Sequence, residues 1–288
     1  MRLIRDEYAA NTPLSIERMC KLLSVSRAAF YRWQIPKTDK SPGSRFAILK
    51  IALRRPWYGY RRIAHDLRRI GQIVNEKRVR RIMREEGLVA QSRSSKRLLR
   101  GKAIAHERFE VLPRDFVAMA VDELWVSDFT YIRFRSMFVF VAIVLDAFSR
   151  CVVGWSFATN MGADLTIAAL IMAIRDRRPK PGIRHHSDGG SQYKDERYVE
   201  ILDAFGFVKS MSRPGTPTDN AICERFMRTL KHEEILVNEY AGLSDLERSI
   251  GRFIDDYNRR RLHSALGYVP PKEFEAAALE EHLRLSPV

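Results

Sequence analysis

The sequence predicts an α/β protein, a mixed five-stranded sheet with flanking helices, preceded by all-α, helix-turn-helix-like segments. Three observations predict it. Residues 1–110 hold 27 Lys and Arg against 10 Asp and Glu, whereas residues 111–288 hold 23 against 25. The hydrophobic period is helical across the basic front half and turns strand-like near residue 124. From there the chain runs strand, strand, strand, helix, strand, helix, strand, helix.

A formal charge of +15 over 288 residues points to a polyanionic partner. Its concentration in the front half suggests that binding and chemistry are divided between two regions. The plain alternative is a basic surface serving solubility or ribosome association. Cys20, Cys151 and Cys223 lie far apart without a CxxC pair, so neither a disulfide framework nor a cysteine zinc site is indicated. The most apolar stretch, Met137 to Leu145, is of strand length and well short of the roughly 18–20 residues that span a bilayer. No signal-peptide pattern opens the sequence. The expectation is a soluble, cytoplasmic protein working under reducing conditions.

In order, residues 1–40 read as a helix-turn-helix-like segment. Ser15 is placed to cap a helix carrying Ile16, Met19, Leu22 and Leu23 on one face. Ser24-Val25-Ser26 interrupts it, and Ser26 caps a second helix, Arg27 to Trp33, whose Arg27, Tyr31 and Arg32 suit a DNA reader. An ordinary helical hairpin with a basic face is the alternative. Pro36 to Ser44 reads as a linker.

Residues 44–90 form a second helical region with a DNA-binding character. Ile63, Leu67 and Ile70 make an inward stripe, with Arg61, Arg62, Arg68 and Arg69 outward. A helix from Asn75 to Glu86 turns Val79, Ile82 and Met83 inward and Lys77, Arg78, Arg80, Arg81 and Arg84 outward. Guanidinium groups at this density match phosphate oxygens, which set affinity and position more than sequence choice. Residues 91–110 are a basic linker without periodicity.

Residues 111–268 read as an α/β core, and 269–288 as a C-terminal tail. Strands are expected at Leu124–Ile132, Phe138–Leu145 and Cys151–Phe157, close enough for an antiparallel meander. Helix Ala163–Arg175, strand Ile183–Ser187, helix Glu196–Ala204 and strand Phe207–Met211 follow. After a loop at Ser212–Pro217, helices cover Asp219–Glu234 and Leu243–Tyr257. This order is that of the ribonuclease H-like fold.

Three carboxylates stand out. Asp128 lies within the first strand among Trp125, Val126, Phe129 and Tyr131, where an uncompensated charge is costly to bury. Asp188 closes the fourth strand just before Gly189-Gly190, which allow a sharp turn and close approach of a ligand. Glu224 follows after 35 intervening residues. Two strands and a helix delivering three carboxylates suit hard divalent ions, which need few protein oxygens beside substrate phosphate. Singly, each acid has an ordinary structural reading. Lys231, seven residues past Glu224, falls on the same helical face, with Arg228 near it, as a DNA-end contact would require.

Other residues are weighed against these. Asp146 ends the second strand and reads as a turn cap or an Arg150 partner. His185 and His186 are adjacent on a strand and point to opposite faces, which argues against zinc. His263 suits either DNA contact or a pin for the last helix.

Trp125-x-x-Asp128-x-Thr130-Tyr131, His186-Ser187-Asp188-x-Gly190-x-Gln192-Tyr193 and Asp219-Asn220-Ala221 leading to Glu224 and Lys231 resemble a D,D(35)E-K/R signature. That signature belongs to OrfB-type DDE transposases of insertion sequences and to retroviral-type integrase cores. Tyr257-Asn258-x-x-Arg261-x-His263 resembles the segment closing that core, and Tyr58 to Leu88 the helix-turn-helix-like segment ahead of it. One departure is Pro217-Thr218, where the family carries Cys-Trp before Asp-Asn-Ala.

The resemblance implies a polynucleotidyl transferase that cleaves element ends and joins the 3′-OH to target phosphate. It implies two Mg²⁺ (or Mn²⁺) ions held by Asp128, Asp188 and Glu224, and DNA contacts by Arg61, Arg62, Arg78, Arg81, Arg228 and Lys231. The implied partners are double-stranded DNA, an upstream-frame OrfA-type product, free or fused, and further copies of the chain assembled on DNA, in a bacterial cytoplasm. A non-catalytic DNA-binding regulator on the same fold, or a nuclease that does not join, are the alternatives.

Overall fold

Serine caps begin the second and third helices at the positions the sequence marks. The computed structural model describes residues 1–10, 14–34, 42–90, 117–212 and 220–285, and it divides into two units, Met1–Lys50 and Ile51–Val288. In the first, α1 (Arg2–Ala9), α2 (Ile16–Leu22) and α3 (Arg27–Gln34) enclose a small core of Ile4, Met19, Cys20 and Phe30. Ser15 accepts the Arg18 N–H at 3.3 Å and Ser26 the Ala29 N–H at 3.2 Å. Leu22 and Leu23, expected on the inward face, are exposed, because α2 ends there. Helix α1 is an element the sequence reading does not contain.

Helix α4 (Pro42–Arg54) begins inside the stretch read as a linker; the earlier part of that stretch, 36–41, lies outside the described residues. So do the basic linker 91–110 and the loop departure at Pro217-Thr218.

In the second unit, α5 (Tyr60–Arg69) and α6 (Glu76–Glu85) pack through Ile63, Leu67, Val79, Ile82 and Met83. Asn75 caps α6 by accepting the Lys77 N–H at 2.8 Å. Ile70 corrects the expected stripe: α5 stops at Arg69, so Ile70 is its C-cap and is 61% exposed.

Five strands follow: β1 (Leu124–Phe134), β2 (Met137–Asp146), β3 (Val152–Ala158), β4 (Arg184–Ser187) and β5 (Val208–Met211). Their order is β3-β2-β1-β4-β5, with β1–β2 and β2–β3 antiparallel and β1–β4 and β4–β5 parallel. Central β1 is buried on both faces along Leu124–Asp128, which explains its unbroken apolar character.

Side-chain alternation sends Leu124, Val126 and Ile132 to one face, against α9 (Ala221–Leu230) and α10 (Leu243–Arg259). Trp125 goes to the other, against α7 (Ala163–Arg177) and α8 (Glu196–Ala204). Gly154 of β3 lets α7 approach closely. A Cβ there would collide with the Ala169 carbonyl oxygen and stand 2.8 Å from Ala173 Cβ. Gly154→Val is therefore expected to destabilise by at least about 2 kcal/mol, seen as a lowered urea midpoint at unchanged m-value. A wild-type midpoint would show that α7 yields freely.

The stretch 269–288, expected as a tail, carries a helix, α11 (Pro271–Leu285), whose Glu275 is buried. Glu275 meets Arg177 at 2.5 Å and the Ser149 hydroxyl at 2.6 Å. Asn258 of α10 clamps the edge strand, donating to the Val152 carbonyl at 2.8 Å and accepting its N–H at 2.9 Å. The α5–α6 pair is fastened to these same C-terminal elements. Arg55 pairs with Asp256 at 3.1 Å, the Tyr58 hydroxyl accepts the Leu262 N–H at 2.9 Å, and His65 stacks on Tyr268 at 4.0 Å.

Candidate active site

Strands β1 and β4 run parallel in the register Val126↔His186 and Ser127↔Ser187. The next residue on each chain is an aspartate. Asp128, still within β1, and Asp188, the first residue past β4, therefore follow a paired register on strands about 4.8 Å apart. Asp128 is 3% exposed and shares its face with Leu124 and Val126, the face covered by α9. Its Oδ1 accepts the Phe129 N–H at 2.9 Å. Asp188, half-buried, accepts the Gly190 N–H at 3.0 Å, closing the turn after β4. A Cβ at Gly190 would stand 2.9 Å from Asp188 Oδ1, so glycine is what leaves the carboxylate room.

Glu224 comes from α9. Asn220, just ahead of that helix, donates from Nδ2 to the Ser127 carbonyl at 2.9 Å, tying the helix start to the residue before Asp128. Glu224 is half-buried one turn on, and its neighbour Cys223 is fully buried. Burial, and then Asp128, Asp188 and to a lesser degree Glu224, push the Cys223 thiol well above its ordinary range. Burial also raises the Tyr193 phenol, with Tyr198, Asp128 and Asp188 adding to it.

Among the described residues, no three His, Cys, Asp or Glu side chains converge closely enough to form a finished metal cage. The donor chemistry nonetheless fits a hard divalent cation: all donors are carboxylate oxygens, two of them on adjacent strands.

Helix α9 runs on into a π turn, Lys231–Ile235. Glu233 within it is buried and held by Arg261 through two bonds, of 2.7 Å and 2.5 Å. Lys231 is half-buried with its Nζ 5.0 Å over the Tyr131 ring. Burial lowers its pKa, and the Asp128 carboxylate opposes that shift. Arg228 is exposed.

The basic residues separate into two groups. On α6, Lys77, Arg80, Arg81 and Arg84 are exposed, Arg81 with Glu85 at 3.5 Å. Arg61 is exposed, 4.0 Å from Glu76. Arg62 is not outward as expected: it is half-buried, 5.5 Å over the Tyr58 ring, and burial lowers its pKa. Arg69 is exposed as expected and makes a two-bond pair with Glu273 of α11, at 2.6 Å and 2.8 Å. Arg78 is half-buried. Glu273, the partner of Arg69, lies 204 positions further along the chain, beyond the reach of a periodicity argument.

The competing residues find structural roles. Asp146 is fully buried and caps a turn, accepting the Ser149 N–H at 2.7 Å and the Asp122 N–H at 2.8 Å. His185 and His186 diverge as the strand geometry requires. His185 Nε2 lies 2.9 Å from the Ser127 hydroxyl and 3.0 Å from the Tyr198 hydroxyl, and burial lowers its pKa to about 3, so it is neutral. His186 bridges Ser210 at 2.9 Å and Ser212 at 3.0 Å. His263 packs on Tyr257 and is held neutral by burial and by Arg261, its pKa lowered to about 3, which favours the pin over the DNA contact. Asn220 and Tyr131 are site residues that the sequence shows only as letters within motifs.

Comparison with known proteins places the chain in a family. Integrase core domain models match residues 118–217 and 206–271, and an HTH-like domain model matches 45–96. The transposase for insertion sequence element IS904 of Lactococcus lactis is 36% identical over 220 residues, covering 76% of this chain and 87% of its own. The transposase InsF for insertion sequence IS3A of Escherichia coli is 32% identical over 272 residues, covering 91% and 94%. In fold, the chain is similar to a simian T-cell lymphotropic virus intasome structure, with TM-score 0.51 and 15% identity over 75% of this chain and 70% of that one.

Proposed function

Since the chain belongs to the insertion-sequence transposases built on an integrase core domain, we propose that Asp128, Asp188 and Glu224 are its catalytic carboxylates. It is a DDE-type polynucleotidyl transferase of DNA transposition, with an HTH-like domain for DNA. The observation that carries the residue assignment is the parallel register Ser127↔Ser187, one step before both aspartates, beneath the helix of Glu224.

In this reading the three acids hold two Mg²⁺ or Mn²⁺ ions. Bound there, the ions supply Lewis-acid activation of the attacking oxygen and charge relief for the leaving one. The chain's own residues orient the substrate. The exposed α6 face with Arg81, together with Arg61, grips duplex phosphates, while half-buried Arg62 and Arg78 contribute from the edge of that surface. Lys231 and Arg228 meet the DNA end beside the acids. Water would attack the phosphodiester at the element end, forming one P–O bond as the bond to the 3′ oxygen breaks and that oxygen leaves as 3′-OH. That 3′-OH would then attack a target phosphodiester, displacing the target's own 3′-OH. Residues 1–40 and 44–90 serve DNA binding, 91–110 link them to the core, and the core continues from 111 through α11. An upstream-frame OrfA-type product, separate or fused, and further copies of the chain complete the assembly on DNA in the bacterial cytoplasm. No helix among the described residues is long and apolar enough to cross a membrane.

The test is a strand-transfer assay with Mg²⁺ on DNA carrying the element's own ends. Joined product is expected. Cleavage without joining would favour a nuclease, and salt-dependent binding without cleavage a regulator.

A further inference from the structure

Lys231 sits in an unusual setting for a half-buried cation. Among the described residues no carboxylate pairs with it and no acceptor hydrogen-bonds it. Its ammonium stands over Tyr131, three residues beyond Asp128 on β1. Tyr131 is itself braced. Phe138 of β2, its diagonal cross-strand neighbour, meets it edge-on, with ring centroids 5.5 Å apart and planes at 89°. Both rings are substantially exposed, at 41% and 51%.

The choice of an aromatic partner matters chemically. A carboxylate would neutralise the lysine and occupy its N–H donors. A ring face attracts the ammonium through its quadrupole and leaves the N–H donors turned away from the ring available. The cation is thus fixed in place yet ready for an anion.

We propose that Tyr131 is a positioning residue: its ring, braced by Phe138, holds the Lys231 ammonium beside the strand of Asp128 so that its donors meet a phosphate of the DNA end. This rests on the reading of Lys231 as a DNA-end contact. Burial of Lys231, which disfavours its charged form, makes such a support worth having.

The test compares wild type with Tyr131→Leu, Tyr131→Phe, Tyr131→Trp, Lys231→Met and the Tyr131→Leu/Lys231→Met pair. Each is measured for binding to a duplex bearing the element end across a salt series, for cleavage kinetics and for thermal midpoint. Tyr131→Leu is expected to weaken end binding by about fivefold to tenfold through the lost cation–π contact. It should also flatten the logarithmic salt slope by about one phosphate contact. KM should rise with kcat little changed. Tyr131→Phe and Tyr131→Trp, which keep a ring, should bind like wild type, and Tyr131→Leu should add nothing once Lys231 is gone. An exposed position predicts an unchanged midpoint.

If Phe damages binding as Leu does, or if the effects of Tyr131→Leu and Lys231→Met add, the positioning role is overturned. Wild-type binding insensitive to Tyr131→Leu overturns it too, while the transposase reading stands. Lys231→Met binding as tightly as wild type would instead remove the DNA-contact reading, and the positioning role with it.

Discussion

Asp188→Asn is expected to lower both DNA cleavage and joining by at least about a thousandfold, because several kcal/mol of transition-state charge stabilisation depend on the ions its carboxylate helps to hold. The substitution is mild for the fold. An asparagine Oδ1 still accepts the Gly190 N–H that closes the turn after β4. Asp128→Asn likewise keeps an acceptor for the Phe129 N–H. Both variants should bind element-end DNA about as tightly as wild type, since phosphate contacts by Arg61, Arg81 and their neighbours are untouched. A second signature separates a catalytic acid from a structural one. Two carboxylates on adjacent strands repel when no cation lies between them. Removing one should therefore raise the metal-free protein's midpoint by roughly 2–4 °C, at about 1 kcal/mol of relief. A fall in midpoint together with lost DNA binding would mark Asp188 as a folding residue and sink the assignment.

Arg261→Met should be the most destabilising single change near the site. Its guanidinium and the Glu233 carboxylate are 6% and 8% exposed and joined by two bonds. Removing the arginine strands a buried carboxylate, at a cost of about 3–5 kcal/mol. For a chain of this size that corresponds to a midpoint lower by on the order of 10 °C. Arg261→Met with Glu233→Met should regain much of the loss, because an apolar pair of similar volume leaves no stranded charge. Differential scanning calorimetry on the singles and the double decides it. If the two losses simply add, the pair is not the unit that holds the π turn.

Much of this architecture was legible in residue order. Alternation and turn residues located all five strands, and serine caps located α2 and α3, because these signals are local. The acids were legible for the same reason: Asp128 is a charge inside an apolar strand, Asp188 a strand end before glycines, and Glu224 a fixed distance further on. What escaped depends on distant partners. Arg62 and Arg69 look like outward cations on α5, yet one lies over Tyr58 and the other is taken by Glu273. Helix α11 reads as a tail because the buried place of Glu275 is set by Ser149 and Arg177, far earlier in the chain. The π turn leaves no compositional mark, since it differs from an α-helix only in hydrogen-bond span. Tyr131 could not be singled out, because a cation over a ring is a fact of side-chain placement.

The fastening of α5 and α6 to the C-terminal elements works as a caliper. Arg55–Asp256, Tyr58–Leu262 and His65–Tyr268 fix one jaw, and the β1–β4 acids are the other. A protein whose grip and blade hung on a slack tether would cut over a spread of positions. With the proposed grip and acids, a fixed gap between them would convert the place where phosphates are held into a set number of base pairs to the cut. Loosening a jaw should blur the cut site before it slows the cut.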